Sequence, residues 1–203
     1  MTITLENLAL EAHQRVPRAA DRLAVFVHGS GSSRHSPRNN YVADRLAEDG
    51  IASVLFDLLT EEEDRSRETR FDIDLLTDRV IAVLDWTGRQ AELSDFPLHL
   101  FGSSTGAAAA IRAAVGSGQP VRSIVSRGGR PDMAGQALDR LETPCVLIVG
   151  GNDQPVLTLN QEAKNRIPGE CELRVVEGAS HLFEEPGALD QVADHAVDWI
   201  RAH

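Results

Sequence analysis

Short apolar runs recur along the chain and alternate with longer segments of helical periodicity. Each run is rich in β-branched residues and closes at Gly, Asp or Ser, which is typical of a buried strand. Strands are predicted at residues 22–29, 51–59, 97–102, 121–126, 144–151 and 171–178. Because these runs are largely apolar, we expect parallel strands covered on both faces.

The segments between the runs have the apolar spacing of amphipathic helices, and several end at a glycine. Helices are predicted at residues 38–50, 71–88, 104–118, 132–142, 156–167 and 187–203. Strand and helix alternate to the end of the sequence. This order predicts an α/β fold with a doubly wound, mostly parallel sheet and helices on both faces, and ligands are expected at the carboxyl ends of the strands.

Two segments fall outside this alternation. Residues 2–13, TITLENLALEAH, are predicted to add an antiparallel hairpin at the sheet edge. The charged stretch at residues 60–70, TEEEDRSRETR, is predicted to be a solvated loop.

Composition limits the possible partners. A chain of 203 residues with 42% hydrophobic content fits one compact domain, residues 1–203. Twenty basic and 31 acidic residues give a formal charge of −11, which disfavours nucleic acid and anionic membranes as partners. The sequence shows neither an apolar run of membrane-spanning length nor a secretory signal pattern, so we expect a cytoplasmic protein that acts on a small molecule. The oligomeric state cannot be predicted.

The chain has two cysteines, Cys145 and Cys171. Both lie in or beside apolar runs and lack C-x-x-C spacing, so buried free thiols are expected, with a disulfide as the alternative.

A serine turn follows the predicted strand at residues 97–102. The residues Gly102-Ser103-Ser104-Thr105-Gly106 have G-x-S-x-G spacing between a strand and a helix. This is the context of a nucleophile elbow, in which the central serine has a strained backbone and the glycines let strand and helix approach closely. The backbone N–H of Thr105 at the helix N-terminus can then stabilise an oxyanion. An ordinary Gly/Ser turn that caps a helix is the alternative.

A serine nucleophile needs a base, and the base needs an orienting acid. Asp153 in GGNDQPV and His181 in EGASHLFEEPG each follow a predicted strand. The order Ser104, Asp153, His181 is that of α/β-hydrolases. Asp57 also ends a strand and is the rival acid, but Asp153 is preferred because the acid follows the nucleophile in this order.

The loop VFVHGSGSS at residues 25–33 follows the first central strand. Its position is the one from which such enzymes supply a second oxyanion donor, here the backbone N–H of Ser30. The alternative is a phosphate-binding glycine loop, but the stretch lacks both a following Lys-Ser/Thr pair and a complete G-x-G-x-x-G pattern. His28 and His99 are expected to be structural. None of the other histidines, His13, His28, His99, His195 and His203, has a ligand partner at i, i+4, and neither a metal nor a cofactor is expected.

Together these motifs resemble the α/β-hydrolase superfamily, most closely its small, lidless branch of dienelactone-hydrolase-like proteins. The resemblance extends from VFVHGSGSS through LFGSSTGAAAA and LIVGGNDQPV to EGASHLFEEPG. It implies that Ser104 is the nucleophile, His181 the base and Asp153 the orienting acid, with the backbone amides of Ser30 and Thr105 as oxyanion donors. Dienelactone hydrolases have cysteine at the nucleophile position, whereas this chain has Ser104. The resemblance therefore implies acyl-transfer chemistry but does not identify the substrate.

The sequence also limits the substrate. Residues 127–143 separate two strands and leave no room for a lid domain, so an open site for small, soluble acyl substrates is expected. We expect a serine hydrolase that cleaves an ester, lactone or thioester through an acyl-enzyme. The alternatives are an acyltransferase or perhydrolase on the same triad and a non-catalytic binding protein of the same fold.

Four arginines lie in loops that should border this site: Arg34, Arg38, Arg127 and Arg130. Three of them, Arg34, Arg127 and Arg130, are candidates for binding a carboxylate or phosphate on the substrate. The alternative is that they pair with Asp132 or with the acidic residues 61–64.

Overall fold

Within the described residues, 1–5 and 8–203, the computed structural model contains one sheet of eight strands. The strands are β1 Thr2–Leu5, β2 Leu8–Arg15, β3 Arg22–Val27, β4 Ile51–Phe56, β5 Leu98–Ser103, β6 Val121–Arg127, β7 Cys145–Gly150 and β8 Cys171–Val176. Their spatial order is β1-β2-β4-β3-β5-β6-β7-β8. Strands β3 to β8 pair in parallel and confirm the six strand predictions to within a few residues.

The predicted N-terminal hairpin is also confirmed. β1 pairs antiparallel with β2, from Thr2 opposite Glu11 to Leu5 opposite Leu8. β2 then pairs antiparallel with β4 and attaches the hairpin to one side of the parallel sheet. Residues 6–7, between β1 and β2, lie outside the described residues.

Helices cover both faces of the sheet. They are α1 Pro37–Glu48, α2 Arg67–Arg70, α3 Ile73–Thr87, α4 Thr105–Gly116, α5 Gln154–Arg166 and α6 Ala188–Ala202. The starts of α1 and α3 are capped by side chains, because Ser36 accepts a hydrogen bond from the Asn39 amide and Asp72 accepts one from the Leu75 amide. The predicted doubly wound α/β architecture is therefore confirmed.

Two apolar cores lie on opposite faces of the sheet. The first packs the sheet against α3, α4 and α5 and the second packs it against α1 and α6. Successive strand residues alternate between them, as Ile124 belongs to the first core and Val125 to the second. This two-sided burial is the reason that the central strands are largely apolar.

Two local predictions were wrong. Residues 60–70 are largely exposed as expected but contain a 3₁₀ turn, Glu63–Arg65, and the short helix α2, whose start is capped by Ser66. The predicted helix at residues 132–142 is a 3₁₀ segment, Pro131–Arg140, interrupted at Gly135 with φ 61°. A right-handed helix cannot continue through that left-handed backbone conformation. This segment lies in the connection between β6 and β7, where no lid domain is inserted.

Among the described residues, no helix is both long and apolar enough to cross a membrane.

Candidate active site

Ser104 occupies a strained turn between β5 and α4. Its backbone has φ 50° and ψ −125°, and a positive φ is uncommon for a residue other than glycine. The turn is fixed by the neighbouring strand β6: the Ser104 amide donates to the Arg127 carbonyl at 3.3 Å, and the Ser104 carbonyl accepts from the Arg130 amide at 3.0 Å. The geometry is that expected of a nucleophile elbow.

The glycines around Ser104 are required by close backbone contacts. A Cβ atom on Gly106 would lie 2.2 Å from the Val27 carbonyl oxygen, and one on Gly102 would lie 2.6 Å from Ala107 Cα. The G-x-S-x-G spacing therefore lets α4 begin directly against the end of β3. On the other side of the turn, a Cβ on Gly29 would lie 2.8 Å from Ser104 Cβ, so the loop after β3 closely approaches the serine.

Asp153 and His181 contact each other at the ends of β7 and β8. Asp153 is the N-cap residue of α5, yet its side chain does not cap the helix. Instead its Oδ2 lies 2.6 Å from His181 Nδ1, with 13% of the Asp153 side chain and 40% of the His181 side chain exposed. This contact orients the imidazole and leaves Nε2 available as a base.

Gly128 brings His181 to the edge of the sheet where Ser104 lies. This glycine follows β6 with φ 51°, and a Cβ on it would lie 3.5 Å from His181 Cε1. The residue before it, Arg127, is the register partner of Ser103. Within the described residues, Ser104 Oγ makes no hydrogen bond with the His181 ring; catalytic hydrogen bonds often tighten only when substrate is bound.

The rival acid, Asp57, has different partners. Its Oδ1 accepts from the Arg34 backbone amide at 2.6 Å, and its Oδ2 pairs with the Arg34 guanidinium. The structure thus places Asp153, and not Asp57, against the candidate base.

The two predicted oxyanion donors lie side by side. The Ser30 amide donates to the Thr105 hydroxyl oxygen at 2.8 Å, so a substrate oxygen must take over this hydrogen bond before Ser30 can act as a donor. The His28 ring holds this loop through two hydrogen bonds. The Leu58 amide donates to His28 Nε2 at 3.0 Å, so the ring proton is on Nδ1, which donates to the Gly29 carbonyl at 2.9 Å. Burial lowers the pKa of His28, as expected for a structural, neutral imidazole.

The three candidate substrate-binding arginines have different surroundings. Arg34 pairs with Asp57, and Arg130 makes two 2.8 Å hydrogen bonds to Asp132. Arg127 is 9% exposed, and its Nη1 is buried with no hydrogen-bond partner among the described residues. Burial, followed by the charge of Arg38, lowers the pKa of Arg127 to about 10.

A cavity of about 140 Å³ lies at the same end of the sheet, between His28, Ser32, Asp57 and Thr60. A larger cavity of about 240 Å³ lies at the opposite ends of the strands, beside Leu23 and Leu98. Of these two cavities, the smaller one borders the loop that follows β3. Among the described residues, no group of three His, Cys, Asp or Glu side chains is arranged to hold a metal ion.

The cysteines are distant from Ser104. Cys145 and Cys171 are register partners at the starts of β7 and β8, with their sulfur atoms 3.5 Å apart. Both are free thiols, as predicted, although Cys171 is only half-buried because β8 is an edge strand.

A parallel sheet with a serine elbow after a central strand defines the α/β-hydrolase class. Residues 20–202 match the Alpha/beta hydrolase domain family, and the chain belongs to that family. The predicted family and fold are therefore confirmed.

Solved structures agree with this assignment. The crystal structure of a dienelactone hydrolase from Anabaena variabilis is 42% identical with a TM-score of 0.96, and the match covers 100% of this chain and 96% of that one. Est1E from Butyrivibrio proteoclasticus has the same fold, with a TM-score of 0.83 at 15% identity, over 100% of this chain and 97% of that one.

The chain is also similar to a longer protein of Mycobacterium tuberculosis, found in two strains and named "Putative phosphoribosyl transferase". The two sequences are 54% identical over 191 residues, which are 94% of this chain and 43% of the relative. The chain thus spans less than half the length of these relatives.

Proposed function

We propose that the protein is a serine hydrolase that cleaves small esters, lactones or thioesters through an acyl-enzyme. Ser104 is the nucleophile, His181 the general base and Asp153 the orienting acid. The observation that carries this proposal is the 2.6 Å contact between Asp153 Oδ2 and His181 Nδ1, at the same sheet edge as the strained serine turn.

In the proposed reaction, His181 Nε2 accepts the hydroxyl proton as Ser104 Oγ attacks the substrate carbonyl carbon. Asp153 stabilises the resulting imidazolium through Nδ1–H. The negative oxygen of the tetrahedral intermediate accepts hydrogen bonds from the backbone amides of Thr105 and Ser30, the latter released from the Thr105 hydroxyl.

The intermediate then collapses. The bond to the alcohol, enol or thiol breaks, and the leaving group takes the proton from His181 Nε2. A water molecule next gives a proton to His181 and attacks the acyl carbon, which releases the carboxylic acid and returns the proton to Ser104 Oγ.

The connection between β6 and β7 supports a small substrate. Residues 128–144 contain one 3₁₀ segment, and nothing in that connection covers the serine as a lid domain would. Phosphoribosyl transfer, the activity in the relatives' name, is not proposed for this chain, because the shared part is an α/β-hydrolase domain and 43% of those proteins.

Substitution of the three residues tests the proposal. Ser104→Ala, His181→Ala and Asp153→Asn should each lower kcat/KM for p-nitrophenyl acetate by about 10³-fold or more. The double variant Ser104→Ala/His181→Ala should be little slower than either single variant, because the groups act as a unit. Ser103→Ala changes the adjacent serine and should retain activity. Near wild-type turnover by Ser104→Ala would rule out this nucleophile, and loss in Asp57→Asn with full activity in Asp153→Asn would transfer the acid role to Asp57.

Two further measurements separate the alternatives. A fluorophosphonate should label the wild-type protein at Ser104, whereas a non-catalytic binding protein would stay unlabelled. In the presence of an added alcohol or peroxide, an acyltransferase or perhydrolase would deliver the acyl group mainly to that acceptor instead of to water.

A further inference from the structure

Arg127 is a buried cation without a counter-ion. It ends β6, 9% of the residue is exposed, and its Nη1 has no hydrogen-bond partner in the described part of the chain. No carboxylate among the described residues forms an ion pair with it, unlike Arg34 and Arg130. An unpaired buried charge is costly unless something neutralises it.

A second arginine faces the same region. Arg38 lies in the first turn of α1, and its charge is close enough to contribute to the lowered pKa of Arg127. Arg38 Nη1 bonds Glu184 at 3.1 Å, but its Nε is buried and has no partner among the described residues. Two neighbouring cations with unused N–H donors are both stabilised by one shared anion.

Arg127 lies beside the serine turn. Side chains alternate along β6, so Arg127 lies on the same face as Val125, which belongs to the core under α1 and α6. The Arg127 carbonyl accepts a hydrogen bond from the Ser104 amide. An anion held by Arg127 would therefore lie at the end of the sheet that carries the Ser104 turn, on the face covered by α1 and α6.

Arg38 is the more solvent-accessible of the two arginines. One third of the Arg38 side chain and 64% of the Glu184 side chain are exposed. An exposed ion pair of this kind contributes little to stability, so an incoming anion can replace Glu184 on Arg38.

We propose that Arg127 and Arg38 form an anion-binding site that takes a carboxylate or phosphate group beside Ser104. The anion is either part of the acyl substrate, in which case the inference rests on the proposed function, or a free ion. Both sources offer the oxygen atoms that a guanidinium binds in pairs.

Binding of inorganic phosphate tests the site without any need for catalysis. Thermal unfolding and calorimetry are measured with and without phosphate for the wild type, Arg127→Met and Arg166→Met; Arg166 is an exposed arginine paired with Asp139 and serves as the matched control. Phosphate should raise the Tm of the wild type and the control but not of Arg127→Met. Without phosphate, Arg127→Met should be at least as stable as the wild type, because it lacks the unpaired charge. Equal phosphate shifts in all three proteins would overturn the proposal.

Two matched esters distinguish the sources of the anion: mono-p-nitrophenyl adipate, which carries a carboxylate, and neutral p-nitrophenyl hexanoate. For a substrate-borne anion, Arg127→Met should lower the ratio of kcat/KM for the adipate ester to kcat/KM for the hexanoate ester at least about tenfold. For a free anion, phosphate binding is lost in Arg127→Met and both esters react as with the wild type.

Equal losses on both esters with phosphate binding intact would assign Arg127 a structural role and overturn the site. If the wild type binds phosphate through Arg127 but hydrolyses neither ester, the anion site stands and the proposed hydrolase function fails.

Discussion

His28 and His99 are both buried, but their hydrogen bonds differ. Both ring nitrogens of His28 are bonded, to the Leu58 amide and the Gly29 carbonyl, and this fixes the loop that precedes Ser30. His99 Nδ1 lies 2.9 Å from Ser123 Oγ, whereas Nε2 is buried and has no partner among the described residues. Burial lowers the pKa of His99 to about 4 from an ordinary value of 6.5. The interior of β5 therefore holds a histidine that resists protonation.

This histidine should make the fold sensitive to acid. Below pH 6.5 the unfolded chain binds a proton at His99, whereas the folded chain binds it only below about pH 4. The unfolded state then binds more protons, so the free energy of unfolding falls as the pH is lowered through this window. Because of His99, the free energy of unfolding of the wild type should fall by an amount on the order of 2 kcal/mol between pH 7 and pH 5. His99→Gln should lack this fall, and urea unfolding at the two pH values measures it. An unchanged slope in His99→Gln would contradict the assignment.

The contact between α4 and β3 depends on one glycine. A Cβ on Gly106 would meet the carbonyl oxygens of Val27 and His28 at 2.2 and 2.4 Å, and neither backbone can move away easily. Gly106→Ala should therefore separate the helix from the sheet and lower the free energy of unfolding by several kcal/mol, more than about 3. Gly116→Ala, at the other end of α4, meets nothing nearer than Ile81 Cδ1 at 3.8 Å and should be neutral or stabilising by up to about 1 kcal/mol. Urea unfolding of the two variants provides the comparison, and equal effects would refute the packing argument.

Sequence patterns predicted the elements whose signals are local. The central parallel strands are largely apolar because both faces are covered, and α1, which ends at Glu48, is followed by Gly50, whose φ of 71° stops the helix from continuing. The failures had tertiary or conformational causes. The exposed segment at residues 60–70 is organised partly by the ion pair between Glu63 and Arg79 of α3. The interruption at Gly135 depends on a positive φ, which a glycine can adopt but does not have to adopt.

In the candidate site, too, some features have a local sequence signal and others depend on tertiary packing. The chain order of Ser104, Asp153 and His181 is visible in the sequence, and the parallel sheet brings such strand ends together. The surroundings of the arginines are not visible there. Arg130 meets Asp132 two residues away, but the burial of Arg127 depends on how α6 packs against β6, and that packing leaves no local sequence pattern.

At the scale of the whole molecule, the candidate site draws on both layers of helices. The Ser104 turn leads into α4 of the first core, whereas the segment with His181 leads into α6 of the second core. Since the sheet lies between the two cores, loss of either layer would displace part of the site. The arrangement works only if both layers fold together with the sheet.

The two tryptophans test whether residues 1–203 unfold as one domain. Trp86 belongs to the first core and Trp199 to the second, and both are buried. In Trp86→Phe the remaining fluorescence reports the second core, and in Trp199→Phe it reports the first. Because both cores share the backbone ladder of the sheet, each variant should show one urea midpoint by fluorescence and by far-UV circular dichroism. The comparison is made within each variant, since the substitutions themselves change stability. A fluorescence midpoint that precedes the dichroism midpoint in one variant would show that its layer unfolds separately, and would contradict a single cooperative domain.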